Sequence, residues 1–218
     1  MIAYIRFEVL RVLHNPRYLV FLIVMPVAFA LIWAKQGPGV MVAMAVYAAC
    51  GGALLGSGNT IAEDRLTGWV RQLRVTPLPG RAWLGGKVVQ GMLTVLPGLV
   101  AVGVVAVVKG QIPPGRWLEI LVVMLVGSLP FVLVGVFVGL LVRGKTATVA
   151  LMIVFFTLMF LGGVVGGETL WSWAPTHSLL DAGLNVLDGR TIGVTGLLNL
   201  GIWTVAAGVG VLFRVRRA

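Results

Sequence analysis

Six unbroken apolar runs constrain this chain more than any other feature, at roughly Tyr18–Ala34, Val40–Gly58, Trp83–Val108, Trp117–Val142, Thr146–Gly166 and Thr191–Phe213. A hydrocarbon core about 30 Å thick is crossed by about 20 helical residues, and the six lengths scatter around that figure. None of the runs alternates, which argues for helices and against the roughly ten-residue strands of a membrane barrel. Composition closes off a soluble fold, because 59% of the 218 residues are hydrophobic and only 11% are charged. A soluble domain is about a quarter charged, and one of this size buries only about 70% of its chain surface. The excess apolar surface must face lipid.

The cations then orient the spans. Arg6, Arg11, Arg17, Arg65, Arg71, Arg74, Arg81, Lys87, Arg143, Lys145, Arg214, Arg216 and Arg217 fall on one side of a six-span path, and Lys35, Lys109, Arg116 and Arg190 fall on the other. Cationic loops stay in the cytoplasm. The majority side, with both termini and the second and fourth connections, is therefore expected inside. The net charge of +10 is read as a topology signal rather than as a nucleic-acid surface. Arg6, Arg11 and Arg17 before an apolar run imitate a secretion signal, but five further runs follow, so the first reads as a retained span.

Two stretches on the cationic side are amphipathic. In Ile2–His14, residues Ile2, Ile5, Val9, Val12 and Leu13 share one helical face, and Asn15-Pro16 ends the pattern. Residues 1–16 are thus expected to form a helix lying in the membrane interface. Between the second and third runs, Ile61–Leu78 places Ala62, Leu66, Trp69, Val70 and Leu73 on one stripe, with Asp64, Thr67, Arg71 and Arg74 opposite. Such a stretch suits a short helix lying flat, its charges toward the cytosol, where a partner could dock. A solvated loop is the alternative. On the other side, Gly167–Arg190 is too long for a turn, and Leu179, Leu180, Ala182, Gly183, Leu184 and Leu187 suit a short apolar-faced helix. Gly135/Gly139 and the Gly162/Gly163 and Gly166/Gly167 pairs have the small-xxx-small spacing of close helix contacts, including those between copies.

Several chemistries can be set aside. Gly139 to Thr146 spells the phosphate-loop pattern G-x-x-x-x-G-K-[ST], yet Gly139 falls inside the fourth run, where no strand can precede it. Ser57 or Ser128 with His177 could suggest an intramembrane hydrolase, but the topology puts Ser57 and His177 on opposite sides of the bilayer. The carboxylates, Glu8, Glu63, Asp64, Glu119, Glu168, Asp181 and Asp188, fall in connections or at run ends, which disfavours an ion-coupled carrier. A single cysteine, Cys50, allows no internal disulfide, and no cluster has metal-ligand spacing.

Glu63 to Lys87, with the core Gly68, Trp69, Arg71, Gln72, Leu73, Arg74, Thr76, Pro77 and Leu78 followed by Gly86-Lys87, resembles the cytoplasmic loop of ABC-2-type transporter permeases. Arg11, Asn15, Pro16, Arg17 and Tyr18 are similar to that family's first segment, and Ala174–His177 to its extracytoplasmic segment before the last span. Many members read E-R-E-x-G where this chain has Glu63-Asp64-Arg65-Leu66-Thr67-Gly68. The resemblance covers essentially the whole chain.

It implies an all-α integral membrane protein with six transmembrane helices: an interfacial helix at 1–16, a cytoplasmic coupling helix at 61–78 and a short extracytoplasmic helical segment at 167–190, re-entrant as in the family, with a plain interfacial anchor as the alternative. Glu63, Asp64, Trp69, Arg71, Leu73 and Arg74 would couple the chain to a separate ATPase subunit, and Pro175, Thr176 and His177 would form an extracytoplasmic gate. ATP and magnesium would be bound by that partner, with no cofactor in this chain. The assembly would hold two membrane subunits (identical copies or close relatives) and two ATPases in the cell membrane. Its cargo would be a hydrophobic or amphipathic compound such as a drug, antibiotic or lipid, moved outward as in multidrug efflux. Spans two and five are the expected pathway walls. The alternatives are an ATP-independent channel or secondary carrier, and a structural membrane subunit that transports nothing.

Overall fold

A computed structural model of the chain describes residues 16–68, 80–142 and 144–216. Among these, every regular element is helical: α1 (Pro16–Ile32), α2 (Pro38–Leu66), α3 (Gly80–Leu93), α4 (Leu96–Val108), α5 (Pro114–Gly127), α6 (Leu129–Leu141), α7 (Lys145–Leu161), α8 (Pro175–Leu187) and α9 (Val194–Arg216), with a 3₁₀ turn at Ala34–Gln36. The interfacial helix expected at 1–16 lies outside the described residues except for Pro16, the first residue of α1.

Each apolar run became a helix or a pair of helices. Four segments are long and apolar enough to cross a membrane: Pro38–Leu66, Trp83–Val108, Pro114–Leu141 and Val194–Val215. α1 and α7 have 17 residues each, about 26 Å at 1.5 Å per residue. The fifth run ends earlier than its hydropathy suggests, because Gly163 takes a left-handed φ of 73° and the chain turns there. Two of the long segments are bent where proline removes a backbone donor. α3 gives way to α4 just before Pro97, and α5 to α6 just before Pro130. Hydroxyls accompany both breaks, as Thr94 Oγ1 donates to the Gly91 carbonyl at 2.7 Å and Ser128 Oγ to the Leu125 carbonyl at 2.7 Å.

α2 is the axis of the bundle. In its most apolar stretch 83% is buried inside the protein, against 17% for α9. Lipid tails offer helices no hydrophobic reason to associate, so contact depends on close packing and hydrogen bonds. The run Gly51-Gly52-Ala53-Leu54-Leu55-Gly56-Ser57-Gly58 supplies small side chains for that purpose. The neighbours answer in kind: a Cβ on Gly58 would lie 2.8 Å from the Gly135 carbonyl oxygen, and one on Gly52 would lie 2.9 Å from that of Thr94. The Gly135/Gly139 spacing therefore joins α6 to α2 within one chain. The Gly162/Gly163 and Gly166/Gly167 pairs belong to the turns after α7, where Gly162 abuts Thr176 and Gly163 abuts Thr169.

Contacts sort into two ends, as antiparallel neighbours require. At one end Gln111 Nε2 donates to the Ala34 carbonyl, the Arg116 guanidinium sits beside Gly189, and Trp173 meets Trp203. At the other end, called here the loop side, Asn59, Asp64, Lys87, Leu140 and Thr148 come together.

Candidate functional site

The loop-side end of α2 concentrates the buried polar groups. α2 runs on through 29 residues to Leu66, about 44 Å and longer than a hydrocarbon core. Thr67 caps it, and Gly68, at a φ of 75°, turns the chain out of the helix. This corrects two expectations. Span two does not stop at Gly58, and Ile61–Leu66 are the last turns of its helix. A flat helix running from 61 to 78 is interrupted at Gly68, because a left-handed residue cannot continue the hydrogen-bond ladder. Trp69, Arg71, Leu73 and Arg74 lie outside the described residues.

Asp64 is a further correction. The stripe analysis turned it toward the cytosol, yet its side chain is fully buried and its Oδ2 lies 2.6 Å from Lys87 Nζ, itself fully buried. The helical phase is the same in both readings, but the surroundings differ: as the last turns of α2 this stretch is packed on neighbouring helices, and the face holding Asp64 meets α3. Burying either charge alone would be costly, and the pair meets that cost jointly. Glu63, by contrast, is exposed.

Around the pair the polar contacts fan out. Thr60, one turn before Asp64, reaches Gln90 Oε1 at 3.2 Å, and Gln90 lies one turn beyond Lys87 on α3. Arg65 Nη1 donates to the carbonyls of Leu140 at 2.5 Å and Gly139 at 3.2 Å, capping the C-terminal end of α6, where a cation is favourable. Thr148 Oγ1 on α7 donates to Asn59 Oδ1 at 2.8 Å. Lys87 entered the sequence reading as a loop cation and as the end of the loop motif, with no partner for Asp64 expected of it, and Asn59, Thr60 and Gln90 had no expected role. Their spacing was the available signal: Thr60/Asp64 and Lys87/Gln90 recur at one helical turn within apolar helices.

The set-aside chemistries meet a specific geometry. Gly139 is helical and packed on the Gly58 carbonyl, so the phosphate-loop pattern forms no cradle there. Ser57 Oγ is buried and donates to the carbonyls of Ala53 at 2.6 Å and Val132 at 3.0 Å, at a depth between the two ends. His177 belongs to the far end, its Nδ1 3.3 Å from Thr169 Oγ1.

The segment 167–190 contains the short helix its apolar pattern indicated. α8 buries Leu179, Ala182 and Gly183, while Asp181 and Asp188 stay exposed. Its 13 residues span about 20 Å, too few to cross the bilayer. Pro175 occupies its first turn, where no amide donor is required. Thr176 is buried, and its Oγ1 donates to the Leu158 carbonyl at 2.6 Å, fastening α8 to the end of α7. Asn199 Nδ2 and Trp203 Nε1 of α9 both donate to the Trp173 carbonyl, at 3.1 and 3.0 Å.

Of the two expected pathway walls, α2 is largely enclosed by its own chain. α7 presents an open apolar groove of about 530 Å³ lined by Val149, Met152, Ile153, Phe156, Thr157, Phe160 and Leu161. Those residues repeat at helical spacing along one face.

Comparison with known proteins agrees with this architecture. The family described as "ABC-2 family transporter protein" matches residues 36–213, from the turn before α2 to the last turns of α9. Among curated proteins, "Putative transport permease YvfS" of Bacillus subtilis (strain 168) is 26% identical over 169 residues, covering 72% of this chain and 69% of that protein. No solved structure matches. The matched span takes in every described helix but α1, and the chain belongs to the ABC-2 family of transporter proteins.

Proposed function

We propose that this chain is the membrane subunit of an ABC exporter, driven by ATP that a separate subunit hydrolyses. The observation that carries the reading is the family match, which runs unbroken through the loop between α2 and α3 and the helices on both sides of it. In this reading the chain crosses the cell membrane six times with both termini in the cytoplasm, α1 and α7 completing the four longer spans. The ATPase docks on Glu63, Trp69, Arg71, Leu73 and Arg74. Asp64, buried against Lys87, supports that surface from behind rather than touching the partner. Two membrane subunits, identical or closely related, face each other across a pathway whose wall is the exposed face of α7. That face is apolar but for Thr157, which suits a hydrophobic or amphipathic cargo. α8, with Pro175, Thr176 and His177, closes the outer end.

Co-expression with an ABC ATPase subunit from the same genome is the test. The two should purify together in equal amounts and show vanadate-sensitive ATP hydrolysis. Arg71→Glu and Trp69→Ala should each reduce that association while membrane insertion stays normal. Unchanged association in both variants at normal expression sinks the docking assignment. A chain that transports in vesicles with no ATPase present sinks the reading itself.

A further inference from the structure

Three side chains in the last turns of α2 reach three different helices. Asn59 meets Thr148 on α7 at 2.8 Å, Asp64 meets Lys87 on α3 at 2.6 Å, and Arg65 holds the terminal carbonyls of α6 at 2.5 and 3.2 Å. Residues 67–79 leave α2 just beyond this cluster and re-enter the bundle as α3, the helix that Asp64 already grips. Both ends of the loop are therefore rooted in helices joined by one buried ion pair.

Stability is a weak reason for such a pair, since apolar residues of similar size often serve as well or better. Lys87 also had another option. Its long stem, two turns from the helix start, could carry the ammonium to the interface, yet the group is fully buried and turned inward. What an ion pair adds over apolar packing is resistance to sliding. Apolar side chains in lipid can exchange one contact for another at little cost, whereas parting this pair separates two buried opposite charges in a low-dielectric interior.

We infer that Asp64 and Lys87 form a force-transmitting clamp: they are positioning residues that make α2 and α3 move as one body when the loop between them is pushed, with Asn59 and Arg65 passing the movement to α7 and α6. The inference rests on the functional reading above, in which an ATPase supplies the push. The clamp would tie α3, α6 and α7 to α2, whose apolar stretch is itself largely buried.

The test uses the full chain assembled with its ATPase in lipid nanodiscs. Spin labels replace exposed Leu66 and Val89, one on each clamped helix, in a Cys50→Ala background, and their separation is measured by double electron–electron resonance. The parent should give one narrow distance that is the same without nucleotide and after trapping with ATP and vanadate. The double variant Asp64→Leu/Lys87→Met keeps the helices packed without the pair. Its distribution should broaden about twofold and shift on trapping. The exchanged pair Asp64→Lys/Lys87→Asp should restore the narrow distance. A double variant as narrow and as unresponsive as the parent overturns the clamp, and so does a parent whose distance shifts on trapping. A parent that recruits no ATPase overturns the functional reading, and the clamp falls with it.

Discussion

Gly139 of α6 packs directly on the peptide carbonyl of Gly58 of α2, so closely that a Cβ at 139 would lie 2.5 Å from that oxygen. The obstacle is backbone on a largely buried helix, which cannot turn aside as a side chain can. Gly139→Ala should therefore force α2 and α6 apart and destabilise the chain by about 1–3 kcal/mol. Gly201 on α9 is the control, because nothing lies within 4 Å of a Cβ there. Gly201→Ala should be neutral or stabilising by about 0.5–1 kcal/mol, from the helix preference for alanine. Thermal midpoints of the two purified variants decide it, and equal midpoints would remove the close-packing account of the α2–α6 contact.

The buried ion pair makes an unequal prediction for single and double substitutions. Asp64→Leu leaves the Lys87 ammonium without its carboxylate in the interior and should cost about 3–5 kcal/mol. Asp64→Leu/Lys87→Met removes both charges and should recover most of that loss, through packing of similar volume. Unfolding midpoints in mixed detergent measure both. A double variant as unstable as the single one would mean that the polar surroundings, including Thr60 and Gln90, depend on the charges for more than mutual neutralisation.

Thr176 ties α8 to α7 through its hydroxyl on the Leu158 carbonyl. Thr176→Val keeps the shape and deletes the donor. The carbonyl still accepts the Gly162 amide at 3.0 Å, so no acceptor is left bare. The expected cost is about 1 kcal/mol, the net worth of one hydrogen bond. Amide hydrogen exchange should rise at 176–179 with little change in α2. Exchange that stays at the parent level would show that Pro175 and Leu179 hold the helix end without the hydroxyl.

Much of the fold was legible because apolar periodicity and length report directly on what lipid requires. The runs at Val40, Trp83, Trp117 and Thr191 each begin a segment long enough to span. The helix within 167–190 was likewise visible in the spacing of Leu179, Ala182 and Gly183. The loop-side site was legible only in part. Reading Ile61–Leu78 as a separate helix lying flat turned the Asp64 face toward the cytosol instead of toward α3, and nothing local signals that α2 continues to Leu66 until Gly68 turns it. The Gly135/Gly139 spacing announced a close contact but not with which helix.

The sequence alone determined that this chain lives in a membrane as a set of apolar helices, because the energy of exposing or burying apolar surface is a sum over residues and needs no knowledge of their neighbours. The tertiary structure decided which polar groups are partners. Asp64 and Lys87 stand 23 residues apart in sequence and Arg65 and Leu140 75 apart. Whether a charge meets solvent, lipid or an opposite charge depends on how helices pack around α2, and that packing is settled by shape between residues remote in the chain.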